Sequence, residues 1–251
     1  MKLKIEKSVT VITPTIGKKQ LAQACKSVAN QTYSNIHHLL VVDGSEYWNK
    51  TIGNIALDKE KSNLSVTVTP NNTGQGGFYG HRIYAAYPHL INTDYIAFLD
   101  EDNWWEPNHI ESLMDLIDRK GFDWAYSLRN VYIEDTFHAK DCCESTGKYP
   151  IYISLDTKSP AHLVDTSSYI FRTDWLVMVC NHWHSGWGGD RRFYEIITQN
   201  FKHTNFGTTG LHTLNYRLPD MDRAYGGQMD WFEKGNRIVK EYYGGNYPWI
   251  S

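Results

Sequence analysis

The chain alternates between short unbroken apolar runs and stretches with helical periodicity. Residues 8–15, Ser-Val-Thr-Val-Ile-Thr-Pro-Thr, form a β-branched run closed by Pro14, which predicts a buried strand leaving its sheet at Thr13. Over residues 18–31, Leu21, Ala22, Cys25, Val28 and Ala29 recur at the spacing of one helix face. Residues 38–44 read as a second buried strand with Asp43 at its C-terminal end. Strand, helix, strand in this order predicts a right-handed βαβ unit with parallel strands. A third strand is predicted over residues 65–69, then a polar loop over 70–77 and a helix from about 78 to 90. Residues 94–99 predict a fourth strand, which runs into Asp100-Glu101-Asp102-Asn103. A helix from about 107 to 119 follows, with Ile110, Leu113, Met114 and Ile117 on one face. The first half is therefore α/β, and its polar residues gather at strand C-termini, the edge at which open α/β sheets bind ligands.

After about residue 121 the texture changes. Short strands are predicted over 123–127, 149–153 and 164–172, with an irregular loop or hairpin over 134–148. A short helix is predicted over 175–180 and a longer one over 191–200, ahead of a tail from residue 219 rich in Gly, Tyr and Trp. No internal repeat or low-complexity linker interrupts the chain. The expectation is one domain over residues 1–251, with a nucleotide-binding half over about 1–120 and a substrate half over about 121–251.

Composition narrows the function classes. The 251 residues carry 25 Lys plus Arg against 28 Asp plus Glu, a formal charge of −3, and are 41% hydrophobic. That excludes a disordered chain, and the absence of a basic excess argues against nucleic acid as a partner. No apolar run is long enough to span a membrane, and no apolar segment follows the basic start, so a cytoplasmic location without an integral membrane segment is expected. The four cysteines form no Cys-x-x-Cys pair and are expected to be reduced. The 17 Tyr and 9 Trp are the unusual figure. Such rings either fill a core or offer apolar faces with polar edges to a sugar or a nucleobase.

Several residues carry candidate chemistry. Three acids directly after an apolar strand repel one another, and a hard divalent ion such as Mg²⁺ or Mn²⁺ offsets that repulsion; an acidic turn capping the next helix is the competing reading. Asp43 either caps a turn with Gly44 or accepts hydrogen bonds from a base or ribose. The loop with Gly74, Gly76, Gly77 and Gly80 matches neither a Walker motif nor Gly-x-Gly-x-x-Gly, because Tyr79 stands where the third glycine belongs. His182, His184 and Asp190 offer only a weak zinc pattern. Asp190, after the Gly186-Trp187-Gly188-Gly189 stretch, is better placed as a general base at the first turn of a helix, where the helix dipole favours its ionised form. No Gly-x-Ser-x-Gly elbow is present.

Taken together these residues resemble the inverting family 2 glycosyltransferases of GT-A fold. The resemblance rests on Val11-Ile12-Thr13-Pro14-Thr15, then Ser27-Val28-Ala29-Asn30-Gln31-Thr32-Tyr33, then Leu40-Val41-Val42-Asp43-Gly44, then Phe98-Leu99-Asp100-Glu101-Asp102. It covers about residues 8–118 clearly and continues more thinly through Gly188-Gly189-Asp190 and His212. It implies a mainly parallel nucleotide-binding sheet flanked by helices, with a smaller acceptor-side region. It also implies that Thr13, Pro14, Thr15, Asp43, Asn72, Arg82 and Asp100 bind the nucleotide. Asp100 and Asp102 would be the D-x-D pair that holds Mn²⁺ or Mg²⁺, with His212 completing the set.

The family motif before the base carries Glu then Asp; here Gly189 stands in the first position and Asp190 in the second, with Asp165 as the alternative base. The expected partners are a nucleotide-diphosphate sugar and a glycan or other hydroxyl acceptor, with Trp105 and Trp187 as stacking faces and Trp104 and Trp183 nearby. A non-catalytic sugar-nucleotide or glycan-binding module and a nucleotidyltransferase are the alternatives. Intact D-x-D acids speak against the former, and the absence of a Gly-rich basic loop after the first strand speaks against the latter.

Overall fold

A computed structural model describes residues 6–55, 63–149, 162–201, 203–218 and 228–250. The parallel core is built as the sequence predicts. Strands β1 (Val9–Thr15), β2 (Ile36–Val42), β3 (Leu64–Val68) and β4 (Tyr95–Phe98) lie in the order β3-β2-β1-β4 and run parallel. Register fixes where their ends fall. Thr15 of β1 is level with Val42 of β2, and Ile12 of β1 with Phe98 of β4. The segments that follow β2 and β4, which carry Asp43 and Asp100, therefore leave the sheet at the same edge as the end of β1.

Beyond β4 the sheet continues with β8 (Tyr169–Arg172), β6 (Trp124–Ile133), β9 (Phe206–Leu218) and β5 (Trp104–Trp105). β8 is antiparallel to both β4 and β6, β9 is parallel to β6, and β5 is antiparallel to β9. β7 (Thr136–Lys140) folds back on β6 as a hairpin, the second of the two forms expected for that segment. The expected strand over 164–172 is half a strand: residues Thr166–Ser168 form a 3-10 turn capped by the Asp165 carboxylate, and β8 begins at Tyr169. Apart from Tyr149, the strand expected over 149–153 lies outside the described residues.

Successive residues of a strand face opposite sides of the sheet. On one side Val9, Val11, Ala97, Leu99, Ala125 and Ile170 pack against helices α1 (Leu21–Ala29) and α4 (His109–Lys120). On the other, Ile12, Ile96, Phe98, Trp124, Tyr169 and Phe171 pack against α3 (His81–Ala86), α5 (Thr173–Val179) and α6 (Gly189–Gln199). A buried parallel sheet requires apolar side chains on both faces, which is why these strands read as continuous apolar runs. The short α2 (Trp48–Asn54) follows β2, and α7 (Gln228–Tyr242) contributes Phe232 and Val239 to the second face.

Most of the aromatic excess is core. Trp124 stacks on Phe206 with centroids 4.1 Å apart, Trp183 on Phe193 at 4.3 Å, and Trp175 on Phe171 at 5.9 Å. Among the described residues no helix is long and apolar enough to cross a membrane.

Candidate functional site

The edge where β1, β2 and β4 end holds most of the residues singled out from the sequence. Each acid of the 100–102 triplet has a separate set of partners. Asp100 is half-buried: the Tyr84 hydroxyl donates to its Oδ1 at 2.8 Å, and the Ser167 hydroxyl reaches its Oδ2 at 3.2 Å. Burial, with Asp102 and Asp165 adding repulsion, pushes the Asp100 carboxyl up to about 7. Glu101 turns away from the cleft and clamps the loop after β1. It accepts from Thr15 Oγ1 at 2.5 Å, from Lys18 N at 2.8 Å and from Ile16 N at 3.3 Å. Asp102 is the open member, with its side chain 35% exposed and its Oδ2 2.8 Å from the Lys18 ammonium.

Asp43 is 3% exposed and organises the loop after β3. Its Oδ1 accepts from Thr73 N at 2.7 Å and Thr73 Oγ1 at 2.8 Å, and its Oδ2 from Gly74 N at 2.8 Å. Asn72 supports the same turn, its Oδ1 also accepting from Gly74 N at 2.8 Å. Arg82 donates to the Thr73 carbonyl at 3.0 Å and lies over the Phe78 ring at 3.6 Å. Thr13 is held from behind by His38 Nε2 at 3.0 Å, a histidine that burial keeps neutral, with its pKa near 3. A Cβ on Gly80 would come within 2.9 Å of Pro14 Cγ, so the glycine lets α3 press against the end of β1 and carry Tyr84 to Asp100. Asp43, Asn72 and Arg82 thus meet at the Thr73–Gly74 turn, Pro14 and Asp100 both border α3, Thr15 and Asp102 are linked by the clamp at Glu101 and Lys18, and Thr13 is held separately by His38.

The two candidate bases differ in their surroundings. Asp165 is locked: Arg129 Nη1 donates to its Oδ2 at 2.7 Å and Ser167 N to its Oδ1 at 2.9 Å. Asp190, in the first turn of α6, accepts one hydrogen bond, from Arg191 N at 2.8 Å. Burial raises its pKa above the usual carboxylate range, helped by the nearby Asp165 charge. Gly189 before it has no room for a side chain: a Cβ would lie 2.6 Å from His81 Cε1 and 2.6 Å from Ser185 Oγ. His81 is fixed there by donating from Nδ1 to the Ser185 carbonyl at 2.7 Å.

Two expectations are corrected. Trp105 is 3% exposed; its Nε1 donates to the Ser167 carbonyl at 2.8 Å and its ring stacks on His109 at 4.4 Å, so it has no face for a sugar. His212 does not join Asp100 and Asp102. Its Nε2 donates to the Asp141 carbonyl at 3.2 Å, and no group of three or more His, Cys, Asp or Glu suited to a metal occurs among the described residues. Trp183 is fully buried and Trp104 lies beside the Arg217 guanidinium. Of the four tryptophans near the two motifs, Trp187 alone is open, at 85% exposure between Gly186 and Gly188.

Arg129 was not foreseen. Buried within β6, it donates to Asp141 at 2.8 Å, Glu144 at 2.5 Å and Asp165 at 2.7 Å, with Tyr216 over its plane at 4.3 Å. Two of its carboxylates, Asp141 and Glu144, come from the turn after β7 and the third, Asp165, stands 36 residues away, so no local motif announces it. Tyr84 and Ser167, which hold Asp100, were also missed, since a tyrosine in a helix and a serine in a turn read as ordinary core and cap.

Comparison with known proteins agrees with this geometry. The chain resembles S. aureus TarS residues 1–349 solved in complex with UDP-GlcNAc, with a TM-score of 0.59 at 16% identity over 96% of this chain and 68% of that one. The same TarS segment in complex with UDP gives a TM-score of 0.58 at 14% identity over 93% and 64%. A longer S. aureus TarS chain gives 0.56 at 13% identity over 96% of this chain and 44% of that one. At such identities the likeness speaks for the fold, which is of GT-A type. No curated protein matches the sequence. The model of the family described as Glycosyl transferase family 2 matches residues 10–175, more than half of the chain, and spans Asp43, the Asp100–Asp102 acids and Asp165. The chain belongs to glycosyl transferase family 2, and it is a glycosyltransferase.

Proposed function

We propose that this chain moves a sugar from a nucleotide-diphosphate sugar to an acceptor hydroxyl with inversion, in a single displacement that uses Asp190 as general base. The observation that carries this reading is the contrast between Asp190, which has one oxygen without a hydrogen-bond partner among the described residues and a raised proton affinity, and Asp165, whose oxygens are committed to Arg129 and Ser167. A base works best when its pKa lies near the operating pH and its lone pair is available. Asp190 then takes the proton of the acceptor hydroxyl as that oxygen attacks the anomeric carbon from the face opposite the leaving group. Trp187 offers the acceptor its open ring face.

On the donor side, Thr13, Pro14 and Thr15 line the base and ribose pocket, and Asp43 shapes it by holding the loop at Thr73 and Gly74. Arg82 is the cation placed to meet the diphosphate. A divalent cation fits the remaining residues, Asp102 with Asp100 behind it. Two hard carboxylates, with no third protein ligand among the described residues, suit an ion such as Mn²⁺ or Mg²⁺ that draws the rest of its shell from phosphate oxygens and water. When bound, such an ion offsets the charge that develops on the leaving diphosphate. In this reading residues 1–251 act as one domain, with the donor side over about 1–120 and the acceptor side over about 121–251.

A thermal-shift panel of UDP, GDP and dTDP, each with and without Mn²⁺, tests the reading. Ligand that binds only the native state stabilises it by about 2.7 kcal/mol at roughly one hundred times its Kd. One nucleotide is expected to raise the melting temperature, and more so with Mn²⁺. Stabilisation by none of the three overturns the donor assignment.

A further inference from the structure

One carboxylate of the acidic triplet is held by a cation of the chain itself. Asp100 and Glu101 are committed to Tyr84, Ser167, Thr15 and the loop backbone, whereas Asp102 meets the Lys18 ammonium at 2.8 Å. The two side chains are 44% and 35% exposed, and an ion pair that open to water is weak and readily exchanged. Lys18 is nevertheless never far from Asp102. Its backbone N donates to Glu101 at 2.8 Å, and Glu101 also takes Thr15 Oγ1, so the main chain at Lys18 is pinned to the residue before Asp102. Only the side chain is free to move. Beside it lies a cavity of about 250 Å³ lined by Lys18, Gln20, Asp102, Glu134 and Arg217, large enough to take the ammonium when it leaves the carboxylate.

We propose that Lys18 is a built-in counter-cation for Asp102, which a divalent ion must displace before it binds. The proposal rests on the reading of Asp102 as the carboxylate that faces the metal. The tether keeps the ammonium at the carboxylate as a permanent competitor, and the weakness of the pair lets a doubly charged ion win when it arrives with phosphate oxygens. Without a nucleotide, affinity for the ion is reduced by the fraction of time that Lys18 holds the site. The pair thereby keeps the triplet charge-balanced in the free enzyme and makes ion and donor binding mutually dependent.

The test is a Mn²⁺ titration of the full chain without nucleotide, with free Mn²⁺ read by electron paramagnetic resonance. Lys18→Met is expected to bind Mn²⁺ about fivefold more tightly than the wild type, and Lys18→Arg, which keeps the cation, to stay within about twofold of it. Adding Asp102→Asn to Lys18→Met is expected to abolish the gain. If Lys18→Met is no tighter while Asp102→Asn alone weakens binding, the competition is refuted and the metal reading of Asp102 stands. If Asp102→Asn leaves Mn²⁺ binding unchanged in both backgrounds, the metal reading itself falls, and the proposal with it.

Discussion

In the parallel part of the sheet, β1, β2 and β4, charge is kept beyond the strand ends. In β6 and β9 it lies inside the strands, with Arg129 and Arg217 buried. The donor-side acids Asp43 and Glu101 are satisfied by neutral donors a few residues along a neighbouring loop: Thr73, Gly74, Thr15 and Lys18 N. On the other side one guanidinium holds three carboxylates from two loops, and Asn103 reaches Arg217 N at 3.0 Å to join the two regions. Removing one partner from the first arrangement leaves a local gap. Removing the cation from the second leaves uncompensated charges in a low-dielectric interior. The proposed base sits next to the second arrangement; burial raises its proton affinity and the Asp165 charge of that arrangement adds to the rise.

The largest effect is expected where the two regions meet. Asp190→Asn keeps the shape and removes the lone pair, so turnover should drop by about 10²–10⁴-fold while the nucleotide thermal shift survives. Unchanged turnover would transfer the base role away from Asp190. Next comes stability. Arg129→Met should cost about 3–5 kcal/mol in urea unfolding followed by tryptophan fluorescence, since Asp141, Glu144 and Asp165 lose their cation. Asp43→Asn should cost less, about 1–3 kcal/mol, because its loss is confined to the turn at Thr73 and Gly74. Equal costs would erase the distinction between the two regions.

A pH experiment reads a smaller term. The folded state holds a proton on Asp100 up to about 7, whereas the ordinary carboxyl releases it near 3.8. The stability this contributes is full below 3.8, falls as pH rises, and is gone above about 7. His38 and His109, with pKa values near 3, act in the opposite direction and only below their ordinary value of 6.5. In metal-free buffer, between about pH 4 and about pH 7, the stability of the wild type should therefore fall relative to that of Asp100→Asn as pH rises, the histidine contribution being common to both. An identical slope in both proteins would contradict the protonated state. The smallest structural effect belongs to Trp187→Ala. At 85% exposure the change should leave unfolding within about 0.5 kcal/mol of wild type while raising the acceptor KM. An unchanged KM would remove Trp187 from the acceptor side.

The same contrast explains what the sequence discloses. β1, β2 and β4 are visible because both their faces are buried and their apolar runs end where polar residues begin. β9 is hidden, because Thr213, Asn215 and Arg217 are buried polar positions inside a strand and break every apolar pattern. β5 is two residues long, too short for any periodicity. α3 starts three residues later than the helical pattern suggests, since Tyr79 adopts a positive φ of 52° before Gly80. Among the site residues, the donor-edge acids stand in local phrases that a single strand end presents. Arg129 becomes a site residue only after residues 141, 144 and 165 converge on it. Trp105 misled because a ring next to an acid reads the same whether it faces the cleft or the core, and its stacking on His109 settles the direction.

Glu101 gives the donor edge a property that neither of its acidic neighbours supplies. By taking Thr15 Oγ1, Ile16 N and Lys18 N, it removes the conformational freedom of the loop after β1 during folding. Ordering that loop is then no part of the free energy of donor binding, so affinity is not spent on arranging the pocket. The arriving nucleotide meets a wall that is already set, and specificity on this side becomes a matter of shape rather than of adaptation.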